Sequence, residues 1–166
     1  MKQYTTIEGY VQPKERPRFY KGAAHTGAKT RNFESFIKGK CKDAGFEPMA
    51  GRIALVIKIK KKVTNPDRYY RFKSTRPDID NLVKSVMDGL NGVAYKDDGQ
   101  VAMVHAQKEY SDEDSLYIMV MNIDTPYDLE DYMDEISDIL IYENNDNFYP
   151  KEDIAVWLDL ETFYSL

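Results

Sequence analysis

Residues 76–101 read RPDIDNLVKSVMDGLNGVAYKDDGQV and combine the signals of an amphipathic helix with four aspartates close to its two ends. Because a proline disfavours helical angles at the residue before it, the sequence predicts a helix that begins after Pro77. Apolar residues then recur with the spacing of one buried helical face, at Leu82, Val83, Val86, Met87 and Leu90. Asn91-Gly92 is a typical helix end, since glycine readily adopts left-handed backbone angles.

Four aspartates flank this predicted helix, with Asp78 and Asp80 at its start and Asp97 and Asp98 on the loop after it. The apolar run from Val101 is expected to carry the chain back to the start of the helix, so that three or four carboxylates converge. An oxygen-only cluster suits Mg²⁺ or Mn²⁺ rather than zinc. Lys84 lies one helical turn after Asp80 and can pair with that carboxylate or with a phosphate oxygen.

Spacing alone leaves two interpretations of the aspartates open. Aspartate is a favoured helix cap and Asp-Asp-Gly is an ordinary turn sequence, so structural roles compete with a metal site. An EF-hand is excluded because Leu82 and Val83 occupy the fifth and sixth positions of the loop. A phosphoaspartate site is also excluded, since its Asp-x-Asp follows a buried apolar strand, whereas residues 71–77 are mostly polar and cationic.

The whole motif resembles the RusA family of Holliday junction resolvases, whose members occur in bacteria and very often in prophages. The matching residues are Arg76-Pro77-Asp78-Ile79-Asp80-Asn81-Leu82, Lys84, Asp88, Asn91-Gly92 and Asp97-Asp98-Gly99-Gln100-Val101. The resemblance implies a small homodimeric endonuclease, dependent on Mg²⁺ with Mn²⁺ as a substitute, that resolves four-way DNA junctions by paired nicks in recombination and repair.

The resemblance also assigns residues. The metal-binding acids of the family fall on Asp78, Asp80 and Asp98, and its catalytic lysine falls on Lys84. For Asp88 and Asp97, a role beside the metal and a purely structural role both stay open. A hypothesis of a different class is a non-catalytic DNA-binding or phage-assembly module that has retained the fold.

Composition and charge distribution indicate which class of partner the chain can bind. At 166 residues, 42% hydrophobic and 31% charged, it is predicted to be a soluble globular protein. The net charge of −5 divides into +7 over residues 1–123 and −12 over residues 124–166. A basic body with an acidic tail is compatible with a nucleic-acid partner, because only the body has to face phosphate.

Cellular location is predicted from what the sequence contains and lacks. Cys41 is the only cysteine, which excludes an intrachain disulfide and favours a reducing cytoplasm. No apolar run approaches the roughly 18 residues of a membrane span, and the N-terminus has no signal-peptide pattern, so no membrane partner is expected. His25 and His105 are too few for a zinc site.

Two cationic segments are predicted to contact DNA. The first, residues 14–18, reads Lys-Glu-Arg-Pro-Arg and is similar to a loop of RusA proteins, which favours phosphate contact by Lys14, Arg16 and Arg18. The second, residues 58–76, interleaves aromatic residues with cations and leads directly into the acidic motif. Its predicted DNA contacts are Lys60, Lys61, Lys62, Arg68, Arg71, Lys73 and Arg76.

Hydrophobic patterning predicts an α/β (α+β) fold in which a mixed β-sheet packs with helices. Strands are expected at residues 5–11, 52–60, 101–110 and 116–123, and a first helix is expected from Thr30 or Asn32 to Ala44. The alternating lysines of residues 52–60 suggest a half-exposed strand. The four polar residues 111–114 suggest a hairpin joining the last two strands.

The C-terminal region changes character, so we divide the chain into a nuclease domain at residues 1–124 and an acidic, helical extension at residues 125–166. An amphipathic stripe runs from Leu129 to Leu140, and Pro150 is expected to open a second helix. The extension is predicted to pack on the body as a helical hairpin. The alternative is an acidic element that covers the DNA-binding surface or binds another protein.

Overall fold

The computed structural model describes residues 1–15, 18–20, 23–25, 27–69 and 71–143, with the backbone alone for 18–20, 23–25 and 138–143. Its elements are β1 (Lys2–Glu8), β2 (Arg18–Tyr20), β3 (Ala23–His25), α1 (Ala28–Asp43), β4 (Ile53–Lys62), α2 (Ile79–Leu90), β5 (Val101–Ser111), β6 (Ser115–Asn122) and α3 (Pro126–Glu143). The mixed α+β fold predicted from the sequence is confirmed.

The main sheet has four strands in the order β1-β6-β4-β5. β4 is parallel to β5 and antiparallel to β6, and β6 is antiparallel to β1. β2 and β3 form a separate antiparallel pair. In the main sheet the two edges are therefore β1 and β5, and the central position belongs to β4.

The predicted hairpin between the last two strands is wrong, because β4 lies between β5 and β6. β4 is buried from Ile53 to Ile59, and its pairing on both edges satisfies the hydrogen bonds of its buried backbone groups. The connection at residues 112–114 therefore spans two strand spacings, roughly 10 Å, rather than closing a tight turn. A local polar segment cannot reveal that an earlier strand inserts there.

The prediction that β4 is half exposed is also wrong, since both of its faces are covered. One face packs under α1 and α2, where Ile37 and Val86 are fully buried. On the other face Tyr132 of α3 is buried and donates its hydroxyl hydrogen to the Leu55 carbonyl at 3.1 Å. Lys58 is consequently buried beside Glu109 at 3.5 Å. Burial lowers the pKa of Lys58 to about 8, although Glu109 opposes that shift.

The two helices of the first face approach each other closely at a glycine. A Cβ added at Gly89 of α2 would lie 2.9 Å from the Ile37 Cβ of α1 and 3.2 Å from the Glu34 carbonyl oxygen. No side chain larger than hydrogen fits at that contact without moving backbone. This close packing fixes the position of α2, and with it the position of the acidic motif.

Several predicted boundaries differ from those of the structure. The first strand is Lys2–Glu8 rather than 5–11, and it ends at Gly9, whose φ of +118° favours glycine. The first helix begins at Ala28, so neither Thr30 nor Asn32 caps it. The Thr30 hydroxyl instead accepts a hydrogen bond from the Glu15 amide at 3.1 Å.

α3 confirms that the acidic extension begins as a helix packed on the body. Tyr132, Met119 and Met121 form a buried cluster on the second face of the sheet. The second helix predicted from Pro150 lies outside the described residues. None of the helices in the described part of the chain is both apolar enough and long enough to cross a bilayer.

Candidate active site

The acidic motif begins at the exposed N-terminus of α2. Asp78 is the residue that precedes the helix, with extended angles of φ −69° and ψ 142°, but its side chain makes no capping hydrogen bond. Asp80 lies in the first turn and accepts a hydrogen bond only from the neighbouring Asn81 side chain, at 3.3 Å, among the described residues. Both carboxylates are exposed. The capping interpretation of Asp78 is therefore wrong, and its oxygens are available to a ligand.

Two lysines hold the segment that leads into α2. Lys73 donates to the Thr75 carbonyl at 2.8 Å and also to the Arg76 carbonyl. Lys108 of β5 donates to the Thr75 carbonyl at 2.8 Å and to the Pro77 carbonyl at 2.6 Å. These contacts bring positive charge next to the two free aspartates.

Lys108 was missed by the sequence analysis because it looked like a polar residue of an alternating strand. The signal was present in the register: Lys108 lies opposite Ile59 of β4, on the same face of the sheet as Ala106 and the helices. Because Lys108 lies near the end of β5 on the face covered by the helices, its side chain can reach the start of α2.

Lys84 is exposed on α2, one turn beyond Asp80. At this spacing the two side chains lie on the same face of the helix, as predicted. Asp78, Asp80 and Lys84 therefore share one accessible end of α2.

Asp97 and Asp98 lie toward the opposite end of that helix. The loop before them is held there because the Tyr95 hydroxyl donates to the Met87 carbonyl at 3.0 Å. Gln100 then donates to the Met49 and Gly51 carbonyls, at 3.1 and 3.0 Å, just before β4 begins. β5 does run back to the start of α2, as expected, but the residue that arrives there is Lys108.

The two adjacent aspartates of this loop have different surroundings. Asp97 caps a short 3₁₀ helix, Asp98–Gln100, by accepting from the Gly99 amide at 2.8 Å, and Gln100 completes a capping box. Asp98 is partly exposed, and among the described residues its carboxylate has no hydrogen-bond or ion-pair partner. The structural interpretation therefore holds for Asp97 and not for Asp98.

The donor set of the motif fits Mg²⁺ in chemistry, because it offers three carboxylates with uncommitted oxygens and no nitrogen or sulfur. Among the residues that the structure describes, no three Asp, Glu, His or Cys side chains are grouped closely enough to hold a metal ion. Asp78, Asp80 and Asp98 thus stay a predicted ligand set.

Asp88, near the C-terminal end of α2, is committed to Lys14. The Lys14 ammonium lies 2.5 Å from the Asp88 carboxylate and 2.5 Å from that of Glu34 on α1. Partial burial lowers the pKa of Lys14, but the hydrogen bonds to Asp88 and Glu34 outweigh this effect and raise it overall. Lys14 therefore connects its own segment to both α1 and α2. Phosphate contact by Lys14 stays a prediction, and such a contact would require both ion pairs to break.

The second cationic segment folds around Tyr110, which is 7% exposed. The Arg68 guanidinium lies 4.1 Å from the centroid of the Tyr110 ring, and the Lys73 ammonium lies 5.9 Å from it. The hydrogen bond between the Thr75 and Tyr110 hydroxyls, with smaller effects of the nearby cations, lowers the pKa of the Tyr110 hydroxyl despite its burial. Burial first, and then the Lys108 charge, lowers the pKa of Lys73.

The remaining predicted DNA contacts are placed as follows. Lys61 pairs with Asp114 at 2.9 Å, while Lys62, Arg71 and Arg76 are exposed and Lys60 is partly exposed. Lys60, Lys61, Lys73 and Lys108 line a pocket that reaches Pro77 at the start of α2. Arg16 and the side chain of Arg18 lie outside the described residues. The exposed and pocket-lining cations of residues 60–76, together with Lys108, form the cationic surface that borders the start of α2.

Comparison with known proteins identifies the family. The chain is 39% identical over 64 residues to the "Uncharacterized protein YqaN" of Bacillus subtilis (strain 168), an alignment that covers 39% of this chain and 45% of that protein. The chain thus spans less than half the length of this curated relative. The sequence model of the endodeoxyribonuclease RusA family matches residues 8–121, which include the acidic motif, Lys84 and most of the cationic surface. The chain belongs to the RusA family of endodeoxyribonucleases.

Proposed function

We propose that the protein is a Mg²⁺-dependent, homodimeric endonuclease that resolves four-way DNA junctions, or closely related branched DNA, by paired nicks. The observation that carries this proposal is the contrast between uncommitted acids and surrounding cations at the start of α2. Asp78 and Asp80 are exposed and free, whereas the acids with structural tasks, Asp88 and Asp97, are committed elsewhere. In a family of endodeoxyribonucleases, free acids beside a cationic surface support phosphodiester hydrolysis.

The cationic surface would bind the DNA backbone. Lys62 and Arg76 are exposed and would neutralise phosphates, and exposed Phe72 would stack on an unpaired base at a branch point. Lys73 and Lys108 fix the Thr75–Pro77 backbone and so orient the aspartates that follow it.

Asp78, Asp80 and Asp98 would hold the metal ion, whose chemistry when bound is to acidify water and to neutralise phosphate charge. Lys84 would stabilise the negative charge that develops on the phosphate oxygens, because it is exposed and lies one helical turn beyond Asp80 on the same face of α2. Ile79 is 37% exposed between the two aspartates and presents an apolar contact next to the scissile phosphate.

The proposal is tested with labelled four-way junction, fork, flap and linear duplex, each incubated with the purified protein with and without Mg²⁺. Paired nicking of the junction in Mg²⁺, with little cleavage of linear duplex, is the expected result. Binding to every DNA without cleavage in Mg²⁺ or Mn²⁺ would instead favour a non-catalytic DNA-binding or phage-assembly module. Cleavage of flaps or forks in preference to junctions would retain the nuclease and change its substrate.

A further inference from the structure

The pocket beside the start of α2 is formed by three parts of the chain: the segment after β1, the end of β4 and the start of α2 with the residues before it. Its lining combines carbon surface with cations. The apolar and aromatic residues are Tyr10, Val11, Ile59, Pro77 and Leu82, and the lysines are Lys60, Lys61, Lys73 and Lys108. Because Pro77 directly precedes Asp78, the pocket borders the predicted metal ligands.

The pocket is narrow and its deep part is apolar. Its cavity volume is about 20 Å³, which suits a group of the size of a water molecule or a methyl group. A bound water needs roughly two to four polar partners, whereas Val11, Ile59 and Leu82 are buried hydrocarbon side chains. The cavity therefore favours a methyl group over a water molecule.

The wall that follows β1 is held at both of its ends. The Gly9 amide donates to the Asp114 carbonyl at 2.8 Å, and the Lys14 amide donates to the Asn81 carbonyl of α2 at 2.9 Å. These backbone hydrogen bonds attach the segment to the sheet on one side and to α2 on the other. The pocket is consequently formed in the absence of a ligand.

Tyr10 gives the pocket an aromatic wall. It is 47% exposed, and the Lys61 ammonium lies 4.7 Å from the centroid of its ring. Lys61 is itself paired with Asp114 at 2.9 Å, so the ring contacts a cation whose position is fixed. A half-exposed aromatic ring among cations is a typical platform for stacking a base of single-stranded nucleic acid.

The lysines of the pocket favour a ligand with an acceptor oxygen. Lys73 directs its ammonium to the Thr75 carbonyl and hydroxyl and to the Arg76 carbonyl. Lys108 donates only to the Thr75 and Pro77 carbonyls, so one of its three ammonium hydrogens has no acceptor within the described residues. An oxygen that enters the pocket beside Lys108 therefore meets an available donor.

Thymine combines the groups that this pocket favours. It carries a methyl group on C5, and the adjacent ring carbon carries the O4 acceptor. Cytosine has no methyl group and presents an amino donor in place of O4, and the two purines have no methyl group. Only an unpaired base exposes the face of its ring to Tyr10, and extruding a base costs least where it is already unpaired, as at a branch point.

We propose that this pocket binds one unpaired thymine of branched DNA next to the scissile phosphate. The 5-methyl group occupies the cavity formed by Val11, Ile59 and Leu82, the ring stacks on Tyr10, and O4 accepts a hydrogen bond from Lys108. The proposal rests on the proposed function for its DNA substrate and adds a base preference to it. Affinity for a junction then depends on which base is unpaired at its branch point.

The base preference is tested with four-way junctions that carry one unpaired nucleotide, placed in turn on either side of the branch point. The base is thymine, uracil, 5-methylcytosine or cytosine, and affinity is measured by fluorescence anisotropy in EDTA, so that no strand is cut. Uracil, which lacks only the methyl group, should bind roughly 4-fold more weakly than thymine. Cytosine should bind most weakly, since it lacks both the methyl group and O4.

The matched DNA control replaces a paired thymine with uracil in a distal arm, which should leave the affinity unchanged. Equal affinity for thymine and uracil at every position next to the branch point overturns the proposal. An equal loss of affinity for the change in the distal arm also overturns it, because the methyl group would then act outside the pocket.

Protein variants place the effect in the pocket. Tyr10→Ser should weaken the binding of junctions with an unpaired thymine roughly 10-fold, and it should have little effect on a junction with an abasic residue at that position. The matched control is Tyr4→Ser, which removes an aromatic ring that is 63% exposed on β1, outside the pocket lining. Equal weakening by the two variants overturns the proposal.

Val11→Ile tests the cavity itself. The variant adds a methyl group of the protein to the buried lining, so the preference for thymine over uracil should disappear. Its urea midpoint shows whether the larger side chain is accommodated. A folded Val11→Ile protein that keeps the full preference overturns the proposal, and if this variant does not fold, the base series and the two tyrosine variants still decide.

Failure of this proposal is distinguishable from failure of the proposed function. A wild-type protein that prefers thymine over uracil in EDTA but cuts no branched DNA in Mg²⁺ or Mn²⁺ refutes the nuclease and leaves the pocket intact. A wild-type protein that nicks junctions but binds thymine and uracil equally refutes only the pocket. Failure to bind any branched DNA refutes both.

Discussion

Both ends of α2 carry aspartates, but these aspartates differ in whether they form ion pairs. At the start of the helix, Asp78 and Asp80 are exposed and free of strong partners, and the surrounding lysines bind backbone carbonyls rather than carboxylates. Toward the other end, Asp88 forms an ion pair with Lys14 at 2.5 Å. The difference separates aspartates that have a structural contact from aspartates that have none, and motif membership alone does not separate these two groups. Under the proposed function, the aspartates without a structural contact hold the metal ion.

The largest effect that distinguishes the two ends is on turnover. Asp80→Asn keeps the shape of the side chain and removes its charge, so junction nicking should fall by roughly 100-fold or more. The change should cost less than about 1 kcal/mol of the free energy of unfolding, through the lost favourable interaction with the helix dipole. Asp88→Asn is the matched control, because it removes one charge from the same helix and should retain turnover while it destabilises the Lys14 contact. Equal loss of nicking in the two variants would contradict the comparison.

A smaller effect is expected on stability at the committed end. Lys14→Met leaves the carboxylates of Asp88 and Glu34 partly buried without their cation, which should lower the free energy of unfolding by about 1–3 kcal/mol in urea titrations. Because the pKa of Lys14 is higher in the folded chain than its ordinary 10.5, this stabilisation is full below pH 10.5 and is lost as the pH rises through the folded value. A variant as stable as wild type would show that the two ion pairs do not tie the segments together.

The smallest effect concerns DNA affinity near the free end. Arg76→Gln and Lys62→Gln should each reduce the slope of log affinity against log salt concentration by about 1, since each removes one phosphate contact. Neither change should alter the urea midpoint, because both side chains are exposed. Lys14→Met should leave the salt slope unchanged if that residue is structural. A reduced slope for Lys14→Met, measured by fluorescence anisotropy, would restore it to the DNA-binding surface.

The sequence predicted the elements that depend on local signals and not those that depend on distant segments. α2 was bounded correctly because Pro77, the apolar spacing and Asn91-Gly92 all act within one helix. The hairpin was wrong because the insertion of β4 between β5 and β6 is a property of the whole sheet. The position of Asp98 was equally hidden, since it depends on a hydrogen bond from Tyr95 back to Met87 and on contacts of Gln100 with Met49 and Gly51.

Among the site residues as well, some features follow from the local sequence and others depend on contacts with distant segments. The resemblance selected Asp78, Asp80, Lys84 and Asp98 as a set, but only tertiary contacts show that Asp97 is a cap and that Asp88 belongs to an ion pair. Lys108 was not predicted as a site residue, because the residues next to it in sequence give no sign that its ammonium reaches the Pro77 carbonyl. Residue type and spacing were enough to propose a metal site, whereas only the fold shows which side chains already have structural partners.

The pairing of β1 with β6 has a consequence for the order in which the chain folds. Lys2 lies opposite Met121, so within the described residues the first strand of the main sheet pairs with its last strand along the chain. β4 likewise pairs with β5 and β6, and both of these strands are synthesised after α2. Contacts between residues so distant in sequence slow folding, because a long loop must close before the contact stabilises it. During translation the acidic helix α2 is therefore synthesised before the sheet that supports it is complete, and the fold forms only when nearly all of residues 8–121, the part matched to the family, has been made.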